Sequence, residues 1–183
     1  MPTITETAEV EIDVATLWRD VGDFGSLAHW HPLVTALNVQ GEGIGSVRTT
    51  NPGTPHEQLE RLRSVDAQLH CYRYAVQRSS LSVRDYVGEF RVEPAADNRS
   101  RVVWSAQFEL VPGAHGQSAD AIRQFLHAGT ENLKAKYRPW IHGESRIIQR
   151  ELADVDRKAR TGSETEPVRN TPPAGAWNDT SAD

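Results

Sequence analysis

The chain has 183 residues, 38% hydrophobic and 25% charged, enough for one globular domain with length to spare. Its 20 Lys and Arg against 25 Asp and Glu give a net charge of −5 with no basic cluster, which excludes the positive face a nucleic-acid partner needs. The single cysteine, Cys71, excludes an internal disulfide or a cysteine-built zinc site; no run reaches the ~18–20 apolar residues of a membrane span, and the acidic start is unlike a signal peptide, so a cytoplasmic chain, monomeric or homodimeric, is expected.

In chain order, residues 3–12 alternate through Ile4, Ala8, Val10 and Ile12 and predict a strand with one wet face. Asp13 then caps a short helix whose apolar positions are Leu17, Trp18, Val21 and Phe24. The stretch His29-Trp30-His31-Pro32 ends a second short helix, because proline drives His31 out of the helical region. Strands are predicted over 35–40, 46–50, 56–65, 68–77, 83–94 and 101–111, with Asn51-Pro52-Gly53-Thr54-Pro55 the strongest turn between them. Short breaks argue for an antiparallel sheet. Gln117 to Tyr137 is the one long amphipathic helix, with Ser118 offering its cap. A short charged helix is expected over 143–160 and a disordered tail over 161–183, where prolines and small polar residues dominate.

Six consecutive antiparallel strands curl, and a single helix laid across the concave face leaves space near the strand ends. The blocks VEIDVATLWRDVGDFGSLAHWHPLV, GIGSVRTT, EQLERLRSVDAQLHCYRYAV, RDYVGEFRVEP, SRVVWSAQFE and GTENLKA resemble, in this order, the SRPBCC or START-like helix-grip superfamily. Within it the polyketide cyclase/dehydrase-like and lipid-transport branch is the most similar. The resemblance covers roughly residues 4–138 and implies an α+β helix-grip fold for residues 1–142: a curved antiparallel sheet of about seven strands wrapped around a long C-terminal helix, with two short helices after the first strand. It implies an internal cavity, but fold alone does not settle the chemistry inside it.

Strand alternation assigns faces. Tyr86, Gly88, Phe90 and Val92 should point inward, as should Tyr72, Tyr74 and Val76, and Trp104, Ala106 and Phe108. Glu57 shares a face with Leu59, and Arg48 with Thr50. An inward Glu57 would sit in an apolar cavity with a raised pKa, paired with Arg48 one strand away. The same arrangement is equally that of a structural ion pair, and Tyr86 equally that of a core tyrosine. In the abscisic-acid-receptor branch, positions resembling Arg48 in GSVR, Glu57 in TPHEQLE and Tyr86 in RDY form a polar network in the pocket. That branch's acid-anchoring lysine aligns with the uncharged Thr35, so no acid anchor is implied.

The expected catalytic candidates are Glu57, Tyr86 and His31, the last a base near neutral pH at the pocket rim. The expected ligand-binding residues are Trp30, Arg48, Leu59, Tyr74, Gly88, Trp104, Phe108, Phe125, Ala128 and Asn132, although Trp30 is read first as plugging the core beneath the short helices. On the long helix Phe125, Ala128, Gly129 and Asn132 are spaced to look into the cavity or to pack closely on the sheet. Residues 51–55 and 77–82 correspond to the entry loops of similar helix-grip proteins. His29 and His31, two residues apart, do not share a helix face, so no metal site is expected, and no cofactor. Hydrolase, NTPase and dinucleotide motifs are absent from the sequence.

The expected function is binding of a hydrophobic or aromatic small molecule, polyketide-like or lipid-like, with cyclisation or dehydration by proton transfer. The alternatives are a carrier or sensor using the same cavity without chemistry, and an interaction module that recruits a partner through residues 144–183.

Overall fold

Alternating burial along the chain builds most of the structure. In the computed structural model, which describes residues 1–113 and 116–138, the elements run β1 (Thr3–Val10), α1 (Val14–Val21), a 3-10 turn (Phe24–Ser26) and α2 (Leu27–Trp30). They continue with β2 (Leu37–Gln40), β3 (Val47–Thr50), β4 (Gln58–Asp66), β5 (Cys71–Arg78), β6 (Val83–Pro94), β7 (Ser100–Leu110) and α3 (Gln117–Lys136). All seven strands join one antiparallel sheet in the order β1-β7-β6-β5-β4-β3-β2. The chain therefore closes its last strand onto its first, and α1 and α2 carry it from one edge to the other. α3 packs over β1 and β7. This is the helix-grip architecture. The helix expected over 143–160 and the tail over 161–183 lie outside the described residues.

Local chemistry fixes the element ends. Asp13 Oδ1 accepts the Thr16 N–H at 2.9 Å and starts α1. His31 leaves α2 in an extended conformation, as the following proline requires. Ser118 does not cap α3: Gly116 precedes the helix, and Ser118 Oγ instead accepts the Ser82 N–H at 2.9 Å, fastening the β5–β6 loop to the helix.

The core is aromatic. Trp30, Phe90 and Trp104 meet pairwise with ring centroids 5.4–5.5 Å apart, and Tyr72 stacks on Phe90 at 5.4 Å. The inward phase of β7 is the expected one, with Trp104, Ala106 and Phe108 all buried. On β6 the register sets Gly88 opposite Tyr74, whose ring occupies the space a side chain would need: a Cβ at Gly88 would stand 2.1 Å from Tyr74 Cζ. Tyr74 is fully buried and accepts a hydrogen bond from Trp104 Nε1 at 3.1 Å, so it cannot yield cheaply. Gly88→Ala is expected to cost about 2 kcal/mol by overpacking. A urea midpoint equal to that of the parent would show that the ring moves freely.

Candidate functional site

Arg48 and Glu60 are direct cross-strand neighbours of β3 and β4, both completely buried, and Arg48 Nε donates to Glu60 Oε2. Arg48 Nη1 donates to the Phe24 carbonyl at 2.8 Å, and the guanidinium lies 4.0 Å from the Phe24 ring centre and 5.0 Å from that of Tyr74. Burial opposes the charge on Arg48, but the adjoining Glu60 outweighs it and holds the group ionised. Arg48 Nη2 and the Tyr72 hydroxyl have no hydrogen-bond partner among the described residues. Outward from this centre, Gln58 Nε2 donates to Glu60 Oε1 at 2.6 Å.

Gln58 opens onto a cavity of ≈ 320 Å³ at one end of the sheet, near the small end of the range for ligand pockets. Beside Gln58, Thr50 and Leu33, four further stretches of chain wall it. The β3–β4 loop contributes Asn51, His56 and Glu57; the β5–β6 loop contributes Ser79, Ser80 and Leu81; α3 contributes Ala121, Ile122 and Phe125; Tyr86 comes from β6. Asn51 holds the first loop in place. Its positive φ is one that Asn tolerates, its Oδ1 accepts the Thr35 N–H at 2.9 Å, and its Nδ2 donates to the Leu33 carbonyl at 2.9 Å. A second depression, ≈ 400 Å³, lies near the β4–β5 turn among Leu69, Cys71 and Arg91. Arg91 there is engaged by Glu89 and Glu93, and burial pushes the Cys71 thiol up, so the depression gathers neither free charge nor a ready nucleophile.

Of the residues expected to form the site, Glu57, Tyr86 and Phe125 line the cavity. Glu57 departs from expectation in its chemistry. It precedes β4, Leu59 is half-buried on the face opposite Gln58, Glu60 and Leu62, and Arg48 pairs with Glu60. Glu57 accepts the Gly53 N–H at 2.8 Å and Arg78 Nη2 at 2.5 Å, and these two donors pull its pKa down rather than up. His31 does not reach the rim. It is buried, stacked on Phe125 at 4.0 Å, with Nε2 on the Phe125 carbonyl at 3.0 Å and Nδ1 accepting the Leu33 N–H at 3.2 Å. Both nitrogens are used and burial depresses its pKa to about 4, so it is a neutral structural imidazole.

Trp30, Arg48, Tyr74, Gly88, Trp104 and Phe108 belong to the filled interior. Asn132 donates from Nδ2 to the Trp30 carbonyl at 2.7 Å, tying α3 to α2. The half-buried Ala128 is not in the cavity wall, and a Cβ at its neighbour Gly129 would meet His31 and Trp104 at 2.7 Å. Close packing, not a void, explains these small residues. Gln58 and Glu60 were missed in the sequence because β4 carries a leucine on each face, Leu59 and Leu62, so alternation favours neither phase. The available signal was Arg48: an inward arginine demands an acid directly across the hairpin.

Among the described residues no group of three His, Cys, Asp or Glu could hold a metal ion, and no helix is long and apolar enough to cross a membrane. Residues 1–138 match the model of the polyketide cyclase/dehydrase and lipid transport family. The chain belongs to that family. No curated protein matches it. Among solved structures, this polyketide cyclase/dehydrase family member is similar to XoxI from Bacillus cereus, at 21% identity and a TM-score of 0.69 over 75% of this chain and 96% of that one. A Thermobifida fusca protein is 27% identical with a TM-score of 0.66, covering 75% and 93%. One half of the di-domain ARO/CYC BexL, from the BE-7585A biosynthetic pathway, is similar at 16% identity and a TM-score of 0.63, covering 74% of this chain and 46% of that one. Membership makes this a ligand-binding hydrophobic fold; it does not name a ligand.

Proposed function

We propose that the protein binds a hydrophobic or aromatic small molecule of polyketide-like or lipid-like chemistry in the cavity between the β3–β4 and β5–β6 loops and α3. The observation that carries this reading is the composition of the walls. Leu81, Ile122 and Phe125 supply an apolar side, while Gln58 and Tyr86 converge on it with polar groups, the usual make-up of a small-molecule site. Its volume admits one compact ring system and not a long acyl chain enclosed whole.

Holding a ligand without transforming it agrees best with the titratable groups. Glu57 is tied to Arg78, His31 is buried with both nitrogens occupied, and burial keeps the Tyr86 phenol protonated. The enzymatic reading rests on the family, whose description includes cyclases and dehydrases, and on Glu57 and Tyr86 facing one cavity. In that version Tyr86 donates to a carbonyl while Glu57 takes a proton, and Glu57→Gln abolishes turnover with little change in affinity.

The neutral fluorophore N-phenyl-1-naphthylamine tests the site itself. One equivalent should bind saturably, and Ala121→Trp, which fills the cavity from α3, should weaken binding at least about tenfold. Unsaturable binding, or affinity indifferent to that substitution in a folded variant, would remove the cavity from consideration. Native mass spectrometry of the protein from its own host then reads what it carries.

A further inference from the structure

On the wall of the cavity formed by the sheet Gln58 presents an acceptor and Tyr86 a donor, and the hydrogen bond behind Gln58 fixes which way its amide faces. Glu60 offers acceptors only: Oε2 takes the Arg48 guanidinium and Oε1 takes an N–H of Gln58 at 2.6 Å. The Gln58 amide must therefore turn its NH₂ inward, which leaves its carbonyl oxygen for the cavity that Gln58 lines. Tyr86 lines the same cavity from β6, where its phenol hydrogen can be donated to a ligand. Burial and the nearby Glu60 charge hold the Tyr86 phenol well above its ordinary pKa, so it stays a donor.

Charge narrows the ligand further. Among the described residues no Lys or Arg lines the cavity, whereas Glu57 does and Glu60 lies directly behind the Gln58 amide. The nearest buried cation, Arg48, is spent on Glu60, the Phe24 carbonyl and the flanking aromatic faces. An anion entering here meets the Gln58 carbonyl oxygen and a Glu57 carboxylate already paired with Arg78, with no unspent cation among the described lining residues to receive it.

Resting on the cavity reading above, we infer that Gln58 and Tyr86 select an uncharged ring-bearing ligand with a free hydroxyl, a phenol or an enol, which donates to Gln58 Oε1 and accepts from Tyr86. Glu60 is the positioning residue that sets the amide. A site whose buried groups are matched to a hydroxyl rejects the analogue without one, because its own acceptor is then left unpaired.

The test uses the full chain and three probes of one size: 2-naphthol, 2-methoxynaphthalene and 2-naphthoate. Titration should show 2-naphthol binding at least about tenfold tighter than 2-methoxynaphthalene, with 2-naphthoate weakest. Gln58→Met, similar in volume and lacking the acceptor, should bring the first two together without weakening 2-methoxynaphthalene. Glu60→Gln, where it folds, frees the amide to turn over and should lower the same ratio, which a purely structural role would not move. Equal affinity for all three probes, or a preference that survives Gln58→Met, overturns this inference and leaves the cavity standing. Failure of all three to bind overturns both.

Discussion

Arg48→Met is expected to lower the unfolding free energy by about 3–5 kcal/mol, the range for removing one partner of a fully buried pair. The loss comes from what is left behind. Glu60 would stay in the interior with one neutral hydrogen bond from Gln58, and the Phe24 carbonyl would lose a donor now at 2.8 Å. The guanidinium also fills the space between the Phe24 and Tyr74 rings, which methionine replaces in volume but not in charge. Replacing both ions together, Arg48→Met with Glu60→Leu, should recover all but about 1 kcal/mol, since a pair exchanged for apolar groups of similar size no longer carries an unpaired charge. Urea unfolding of the two single variants and the double one closes the cycle. A double variant as unstable as the singles would show that the pair itself, and not the stranded charge, supplies the stability.

That pair also shows where the sequence was legible. In β6 and β7 one face is wholly apolar, Tyr86-x-Gly88-x-Phe90-x-Val92 and Trp104-x-Ala106-x-Phe108, so the period of two could be read without ambiguity. The proline after His31 and the acid before α1 marked their helix ends for reasons local to the backbone. β4 gave no such reading: its inner face holds Gln58 and Glu60, polar residues that become tolerable only once Arg48 is known to lie opposite. Spacing along α3 was also ambiguous. Gly129 and Asn132 fit a cavity wall as well as a tight contact, and only the positions of His31 and Trp104 on other elements decide between them.

The same facts place the void. Aromatic rings from α2, β5, β6 and β7 fill the sheet from its centre toward α1, and Gly88 and Gly129 are small so that Tyr74, His31 and Trp104 can close up there. Toward the β3–β4 and β5–β6 loops that filling stops, and α3 offers Ala121 where it would need bulk. Packing at one end and a void at the other are thus consequences of where the sequence puts its large rings.

The second large effect is acid sensitivity through His31. Its folded pKa, about 4, lies below the 6.5 of an exposed imidazole because burial disfavours the charged form; the Phe125 carbonyl opposes this shift in part and the Arg48 charge adds to it. Protonation would turn the Nδ1 acceptor into a donor facing the Leu33 N–H, 3.2 Å away. The unfolded chain therefore binds the proton first as pH falls. The stabilisation is complete above about pH 6.5 and is lost progressively down to about pH 4, for a total of roughly 3 kcal/mol. Other groups titrate in the same range, notably the carboxylates of Asp13 and Glu57, whose lowered pKa values also withdraw stability in acid. The His31 share is isolated by difference. His31→Gln keeps an N–H able to reach the Phe125 carbonyl but cannot titrate, so the gap between parent and variant at pH 7 should shrink by roughly 3 kcal/mol on going to pH 4. Parallel stability curves across that interval would mean that His31 takes up its proton as readily in the fold as in the unfolded chain, and the buried imidazole that resists protonation would be wrong.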